Sequence, residues 1–434
     1  MTAARTSRAS KDLLSGNPWA AIWRISWPLV LTMVFNALIG LMDTWIAGRI
    51  DPTSQAAVRL TMQLILLINA TITAASIGCQ ALVSRFVGAE DWEEAAKAAQ
   101  QSLLLGFWLS VTLLVPVFIF APWFFQVMGA TPAVQEAGAF YLRILLVGLL
   151  PMDIGILLNA IFRARGRTVA LLVSNAAEAT VWATGSLVLG WYLGWGLLGL
   201  GIGFVLGKLA FVISAWGLFR QTRLAKTIQG PWRLDRAWVR RVLDIGLPAG
   251  AQVLIRNFGM MAFFAILARL THPTESVAAF AIGFSVESLA FLPVFALNIA
   301  TATLVGQNLG AGRPDEAEKA AWRITGVAIG IMTAFGVAFW TLAEPLARIF
   351  TQDPLVVAIA VDYLRIAALS EPFLAITMVL TGALQGAGAT RAPMLATLGA
   401  QIVLRLPAAY LLAVPMGWGA SGAWWSMTGS MMIQ

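Results

Sequence analysis

Eight ionisable side chains each stand alone in a long apolar window of the sequence: Asp43, Asp153, Glu178, Lys208, Arg256, Glu287, Glu371 and Arg405. A charge in hydrocarbon costs about 2.5–3.5 kcal/mol or more, so each is a functional candidate by default. Five acids and three bases also permit ion pairs between helices, the plainer explanation for any one of them. Asp43 is the first candidate. It is the only charge between Arg24 and Arg49, and at 1.5 Å per residue it sits about 28 Å along a helix from Arg24. A carboxyl group withdrawn from water favours its neutral form, so it can hold a proton near neutral pH and exchange it for a cation. Pro28, on the same helix, removes a backbone hydrogen bond and is either a hinge or a helix-start proline.

Glu371 lies mid-window in Leu369-Ser370-Glu371-Pro372-Phe373, where the proline frees a backbone carbonyl that could join a cation site. Glu287 is the only charge between Glu275 and Arg313. These two are the candidate acids of the second half. Glu178 follows Asn175 by three residues and shares its helix face. Asn175 either offers a neutral oxygen to a cation or hydrogen-bonds a neighbouring helix. Asp43, Asn175 and Glu178 are therefore the expected cation- or proton-coupling group of the first half. Arg256 and Arg405 are expected as structural partners of Glu287 or Glu371, because arginine keeps its charge and cannot relay protons. Lys208 is grouped with them as an ion-pair partner, although a lysine could serve either role.

The elements that must hold these residues are apolar helices. The chain is 59% hydrophobic and only 12% charged, against roughly 25% charge in a soluble domain. Windows of about 20 apolar residues, the length a spanning helix needs, run almost end to end. Twelve spans are predicted, near 25–48, 58–84, 98–120, 133–162, 169–190, 194–219, 243–268, 277–308, 320–341, 355–386, 392–413 and 418–434, the last of them short. The net charge of +8 follows topology rather than nucleic-acid binding. With the N-terminus inside, inner segments hold 20 of the 29 Lys and Arg, so the positive-inside rule puts both termini in the cytoplasm of an inner (plasma) membrane protein. The remaining basic excess attracts anionic membrane lipids. The first 20 residues carry Arg5, Arg8 and Lys11 without the apolar core or cleavage site of a signal peptide.

The chain also reads twice. Gly88-Ala89-Glu90-Asp91 to Ala98 recurs as Gly310-Ala311-Gly312-Arg313 to Ala320, Tyr141-Leu142-Arg143-Ile144 as Tyr363-Leu364-Arg365-Ile366, and Gly166-Arg167-Thr168 as Gly388-Ala389-Thr390, all on one offset of 222 residues. Six spans per copy is an even number, so both copies cross the membrane in the same sense, as parallel repeats do. The fold class expected is an all-α membrane protein of about twelve helices in two six-helix lobes. The lobes are 1–219 and 243–434, joined by a basic cytoplasmic linker at 220–242 with seven Lys/Arg and a single acid, Asp235. An enzyme is not expected: the one histidine, His272, lies in a loop, no phosphate-binding loop is present, and one cysteine, Cys79, cannot build a metal site. No cofactor is expected. The glycines of Gly199-Leu200-Gly201-Ile202-Gly203 fit close helix packing.

These residues resemble the multidrug and toxic compound extrusion family, in its DinF-like branch. The resemblance covers nearly the whole chain. It rests on Trp27-Pro28-Leu29 followed by Asp43-Thr44 and Gly48, Leu82-Val83 running into Gly88-Ala89, Gly246-Leu247-Pro248, Leu304-Val305-Gly306-Gln307-Asn308-Leu309-Gly310, and Gly382-Ala383-Leu384-Gln385-Gly386. It implies two six-helix lobes around a V-shaped cavity and export of organic cations or other amphipathic drugs by antiport against protons or sodium ions. By the same resemblance Asp43 matches the first-helix acid that binds the coupling ion, Asn175 the fifth-helix asparagine near it, and Glu371 a tenth-helix acid. Two departures shift the expectation from sodium at Asp43 towards protons. A fifth-helix aspartate of some members is Ala179 here, and a seventh-helix glutamate of another branch is Arg256. A monomer is expected. The rival is a lipid-linked oligosaccharide flippase of the same superfamily, whose basic cavity would need more than Lys208, Arg256 and Arg405.

Overall fold

The structure, a computed structural model, describes residues 18–228 and 231–434, with side chains from Trp23 onward except that of Leu67. The basic stretch with Arg5, Arg8 and Lys11 lies outside the described residues. Helices α1 (Pro18–Ile50), α2 (Pro52–Gly88), α3 (Trp92–Ile119), α4 (Ala121–Val127), α5 (Pro132–Ala164), α6 (Thr168–Gly185), α7 (Gly196–Arg220) and α8 (Arg223–Thr227) make up the first half. The second half holds α9 (Arg236–Leu267), α10 (Pro273–Gly310), α11 (Pro314–Thr341), α12 (Ala343–Phe350), α13 (Pro354–Gly386), α14 (Arg391–Thr397), α15 (Leu406–Ala413) and α16 (Gly419–Ile433). There is no strand among the described residues. Two π-helical segments, Ser186–Tyr192 after α6 and Leu398–Arg405 between α14 and α15, interrupt the ordinary helices.

Ten of the described helices are long and apolar enough to cross a membrane, where twelve spans were expected. The two others are present in altered form. The fifth is ordinary helix for only 18 residues before its π-helical continuation, and the last, α16, is 15 residues long.

The chain forms two compact units, Met1–Leu247 with Gly306–Gly312, and Pro248–Val305 with Arg313–Gln434. Helices α9 and α10 thus each contribute one end to the first unit. The repeat extends to the backbone. Left-handed residues recur at Glu90 (φ 58°) and Gly312 (φ 69°), and at Gly166 (φ 65°) and Gly388 (φ 77°). The turn after α2 is therefore made by Glu90 in the first copy, and Gly88 has another purpose. A Cβ on Gly88 would lie 2.0 Å from the carbonyl oxygen of Gln307, and one on Gly310 would lie 1.9 Å from that of Arg85. Arg85 and Gln307 are themselves 222 residues apart, so these two contacts are equivalents of each other within the first unit. The amide of Gln307 closes the crossing by donating to Ala164 at 2.7 Å. Across the turns that follow, Asp91 caps α3, and Glu93, Glu94, Asp315 and Glu316 sit in first turns where the helix dipole favours acids.

The 220–242 stretch packs against the first unit. The Gln101 side chain donates to the carbonyl of Arg233 at 2.9 Å and accepts from the amide of Asp235 at 2.8 Å. The core of the first unit gathers Ile46, Tyr141, Leu145, Leu149, Trp182 and Phe204. In the second unit, Phe280 stacks on Trp424 at 5.7 Å, and Tyr363 meets Trp424 edge-on at 5.1 Å. Phe263 joins that cluster and is core.

Candidate functional site

In the first unit the site is assembled by a glycine stripe. Gly199, Gly203 and Gly207 recur every four residues on α7, and a Cβ on any of them would lie within 2.6 Å of α6 or the π-helical segment that continues it. Small residues at this spacing let helix backbones approach closely. Lys208, next to Gly207, consequently reaches Glu178 on α6 and forms a buried ion pair with it. The ammonium also lies over the rings of Trp182 (4.8 Å) and Phe204 (4.9 Å), where the negative ring faces attract it.

Asp43 projects from α1 into this region and is 2% exposed. Neither of its oxygens has a hydrogen-bond partner. Ser186, the first residue of the π-helical segment, and Trp182 stand close enough for their dipoles to act on it, as does the charge of Lys208. Yet the Ser186 hydroxyl and the Trp182 indole N–H make no hydrogen bond of their own, and nor does the Tyr141 hydroxyl, which senses the Asp43 charge. A fully buried carboxyl thus stands among three uncommitted donors. π-Helical turns are frequent at functional sites, and this one delivers Ser186.

Asn175 and Glu178 are both buried, as their shared face requires. The Asn175 amide donates to the Leu171 carbonyl of its own helix at 2.8 Å. Pro28 lies inside α1 rather than at its start. Its missing N–H leaves the Arg24 carbonyl without its helical donor, and the Thr168 hydroxyl on α6 donates to that carbonyl at 3.1 Å. A break in α1 is therefore tolerated by α6, the helix that also carries Glu178.

The second unit has its own buried group. Glu287 on α10 accepts a hydrogen bond from the Tyr363 hydroxyl at 2.5 Å. Glu371 on α13 is 0% exposed, and both of its oxygens lack a partner. Pro372 frees the Ala368 carbonyl, but Gly336 of α11 presses on it, with only 2.9 Å between that oxygen and a would-be Cβ. Arg405, at the end of the second π-helical segment, senses Glu287 by charge but donates to the Ser430 hydroxyl at 2.8 Å. Neither Arg405 nor Arg256 takes part in the ion pairs found among the described residues, which corrects the expectation of structural pairs. Arg405 is taken up by Ser430. Arg256 is exposed on α9.

Residue chemistry alone did not single out Tyr141, Trp182, Ser186, Ser110 or Tyr363. For the tyrosines a signal existed: the chain has only four, and two of them open the repeated Tyr-Leu-Arg-Ile block and are fully buried. Among the described residues no three His, Cys, Asp or Glu side chains come together in a group that could hold a metal.

An internally repeated, all-helical membrane chain with buried carboxyls in each half has the build of a secondary transporter. It belongs to the multidrug and toxic compound extrusion (MatE) family, which it matches over residues 28–184 and 248–411. It is 25% identical over 422 residues to a probable multidrug resistance protein NorM of Thermotoga maritima, covering 95% of this chain and 89% of that one. A probable multidrug resistance protein NorM of Pseudomonas aeruginosa is 28% identical, with 95% and 86% covered. In fold the chain is similar to a MOP superfamily transporter from Pyrococcus furiosus, with a TM-score of 0.89 at 22% identity over 97% of this chain and 94% of that one.

Proposed function

We propose that this protein is a multidrug exporter of the inner membrane, with both termini cytoplasmic, that antiports organic cations or amphipathic drugs against protons by alternating access. The observation that carries the reading is Asp43, a carboxyl 2% exposed with both oxygens unpartnered. A cation or a proton can satisfy such a group, and the two compete for it. Drug binds from the inside while Asp43 is charged, the lobes turn outward, protonation of Asp43 displaces the drug, and the protonated form returns. Each ligand drives this cycle only through its different affinity for the two states.

Protons are favoured over sodium by the surroundings of Asp43. Hard metal ions take a shell of oxygens, whereas the Trp182 indole beside Asp43 can only donate. A pyrophosphate-bearing lipid is disfavoured by the same cluster, where Asp43, Asp153 and Glu178 outnumber Lys208. The membership in a DinF-like branch rests on motif order alone.

The test is drug efflux from proteoliposomes under an imposed proton gradient, then under a sodium gradient, comparing wild type with Asp43→Asn. Proton-driven efflux that disappears in Asp43→Asn is expected. Equal efflux in the variant would remove Asp43 from coupling, and no efflux under either gradient would bring the lipid-flippase reading forward.

A further inference from the structure

Asp153 is a buried acid of the first unit that the coupling scheme above does not use. It lies on α5, one residue beyond Met152 and two beyond Pro151, and is 4% exposed. One carboxyl oxygen, Oδ2, is hydrogen-bonded to the Ser110 hydroxyl of α3, and the other, Oδ1, has no partner. Both residues border a small cavity of about 10 Å³ whose remaining walls include Ile68, Leu114, Val117 and Leu146. That volume is about one water-sized sphere, so one water could stand against the carboxyl.

The hydroxyl of Ser110 is within bonding distance of two oxygens at once. Besides Asp153 Oδ2, it lies 2.9 Å from the carbonyl of Gly106, one turn earlier on α3. A serine hydroxyl carries a single hydrogen and two acceptor lone pairs. The Ser110 hydroxyl can therefore be satisfied in two different ways. With Asp153 ionised, Ser110 gives its hydrogen to Oδ2, and the Gly106 carbonyl keeps its helical donor. With Asp153 neutral, the carboxylic O–H donates to Ser110 Oγ, and Ser110 turns its hydrogen to Gly106. No buried hydrogen-bonding group changes from satisfied to unsatisfied in passing between the two, which is the property a reversible proton site needs and an ordinary structural contact does not.

We propose that Asp153 is a second proton-carrying site of the first unit, with Ser110 as the positioning hydroxyl that serves both of its protonation states. The proton leaves to, and returns from, a water in the adjoining cavity. The charged groups that bear on it are few. Lys208 on α7 acts on Asp153 but is paired with Glu178 of α6. On the other helices packed against α5, Arg59 and Arg85 of α2 and Glu93, Glu94 and Lys97 of α3 lie towards helix ends. One carboxyl and one hydroxyl in an apolar wall give too few oxygens for a metal ion, so the ligand is the proton itself. The place of this site in transport rests on the proton-coupled reading above; its capacity to exchange a proton does not.

The experiment is infrared difference spectroscopy of the full-length protein in lipid nanodiscs on stepping the pH, with Asp153→Asn and Ser110→Ala beside wild type. The expected result is that Asp153→Asn removes one protonated-carboxyl signal and that Ser110→Ala, which keeps the acid, shifts that same signal. A full set of signals in Asp153→Asn, or no shift in Ser110→Ala, overturns the proposal. In proteoliposomes with tetraphenylphosphonium as the probe, Asp153→Asn should then lower the number of protons exchanged per probe cation by one. An unchanged ratio overturns the transport role. Wild-type export that ignores the proton gradient would defeat the coupling scheme instead, and the infrared arm would still decide whether Asp153 titrates. If Asp153→Asn does not fold, the Ser110→Ala shift decides alone.

Discussion

In the first unit a lysine enters among three buried acids and pairs with one of them, Glu178; in the second, an arginine senses one of two buried acids, Glu287, and is held by a serine. The scaffolds match and the charges do not. Tyr141 and Tyr363 occupy the same repeat position and both are fully buried, yet Asp153 of the first copy corresponds to Ala375 of the second. Conversely, Glu371 corresponds to Leu149. A duplicated frame thus holds two separately evolved charge clusters. Packing constraints keep a tyrosine, whose ring and hydroxyl must both be accommodated, more strictly than they keep a charge that function can relocate.

The largest effect that would break this asymmetry concerns coupling. Asp43→Asn should abolish proton-driven efflux in proteoliposomes, whereas Glu371→Gln should slow efflux and leave it proton-driven. Loss of coupling in both would make the units equivalent. The next effect is on stability. Lys208→Met strands the Glu178 carboxylate and should cost about 3–5 kcal/mol, the usual price of removing one partner of a buried pair, while Arg405→Met, which breaks no ion pair, should cost less. Thermal unfolding in detergent measures both, and the double variant Lys208→Met/Glu178→Leu should recover most of the loss.

The crossing of the two copies supplies a symmetric control. Gly88→Ala and Gly310→Ala each drive a methyl group into a backbone carbonyl, at a cost of about 1–3 kcal/mol or more. The two melting points should fall by similar amounts, and a clear difference would mean that the contacts are not equivalent. The smallest effect separates two helix starts at the same repeat position. Asp353 caps α13 by accepting from the amides of Leu355 and Val356, but Thr131 caps α5 without a side-chain bond. Asp353→Ala should therefore cost about 1 kcal/mol, and Thr131→Ala nothing measurable in the same unfolding assay.

The helices, their number within two and the repeat were legible in the sequence because all three are written in hydrophobic windows and a fixed offset. The membership of the charge clusters was legible in part. Asp43 and Glu371 stood out as lone acids, and the Glu178–Lys208 ion pair was among the allowed pairings. What could not be read was which arginine finds a partner, because that depends on helix rotation: Arg256 falls on an exposed face of α9. Ser186 and Ser110 were invisible for a different reason. A hydroxyl in an apolar helix normally bonds back to its own carbonyls, and only the neighbouring helix reveals when it also reaches an acid.

The Gly88–Gln307 and Gly310–Arg85 contacts carry one more implication. Because each glycine meets main chain rather than a side chain, no change at positions 85 or 307 can make room for a Cβ, since every amino acid brings the same carbonyl. A hydrophobic core tolerates drift by trading volume between neighbours; this crossing has nothing to trade. Among relatives that keep the crossing, positions 88 and 310 should stay free of side chains while the exposed position 85 varies widely. A library randomised at 85, 88 and 310 should return glycine at the last two positions and nearly anything at the first.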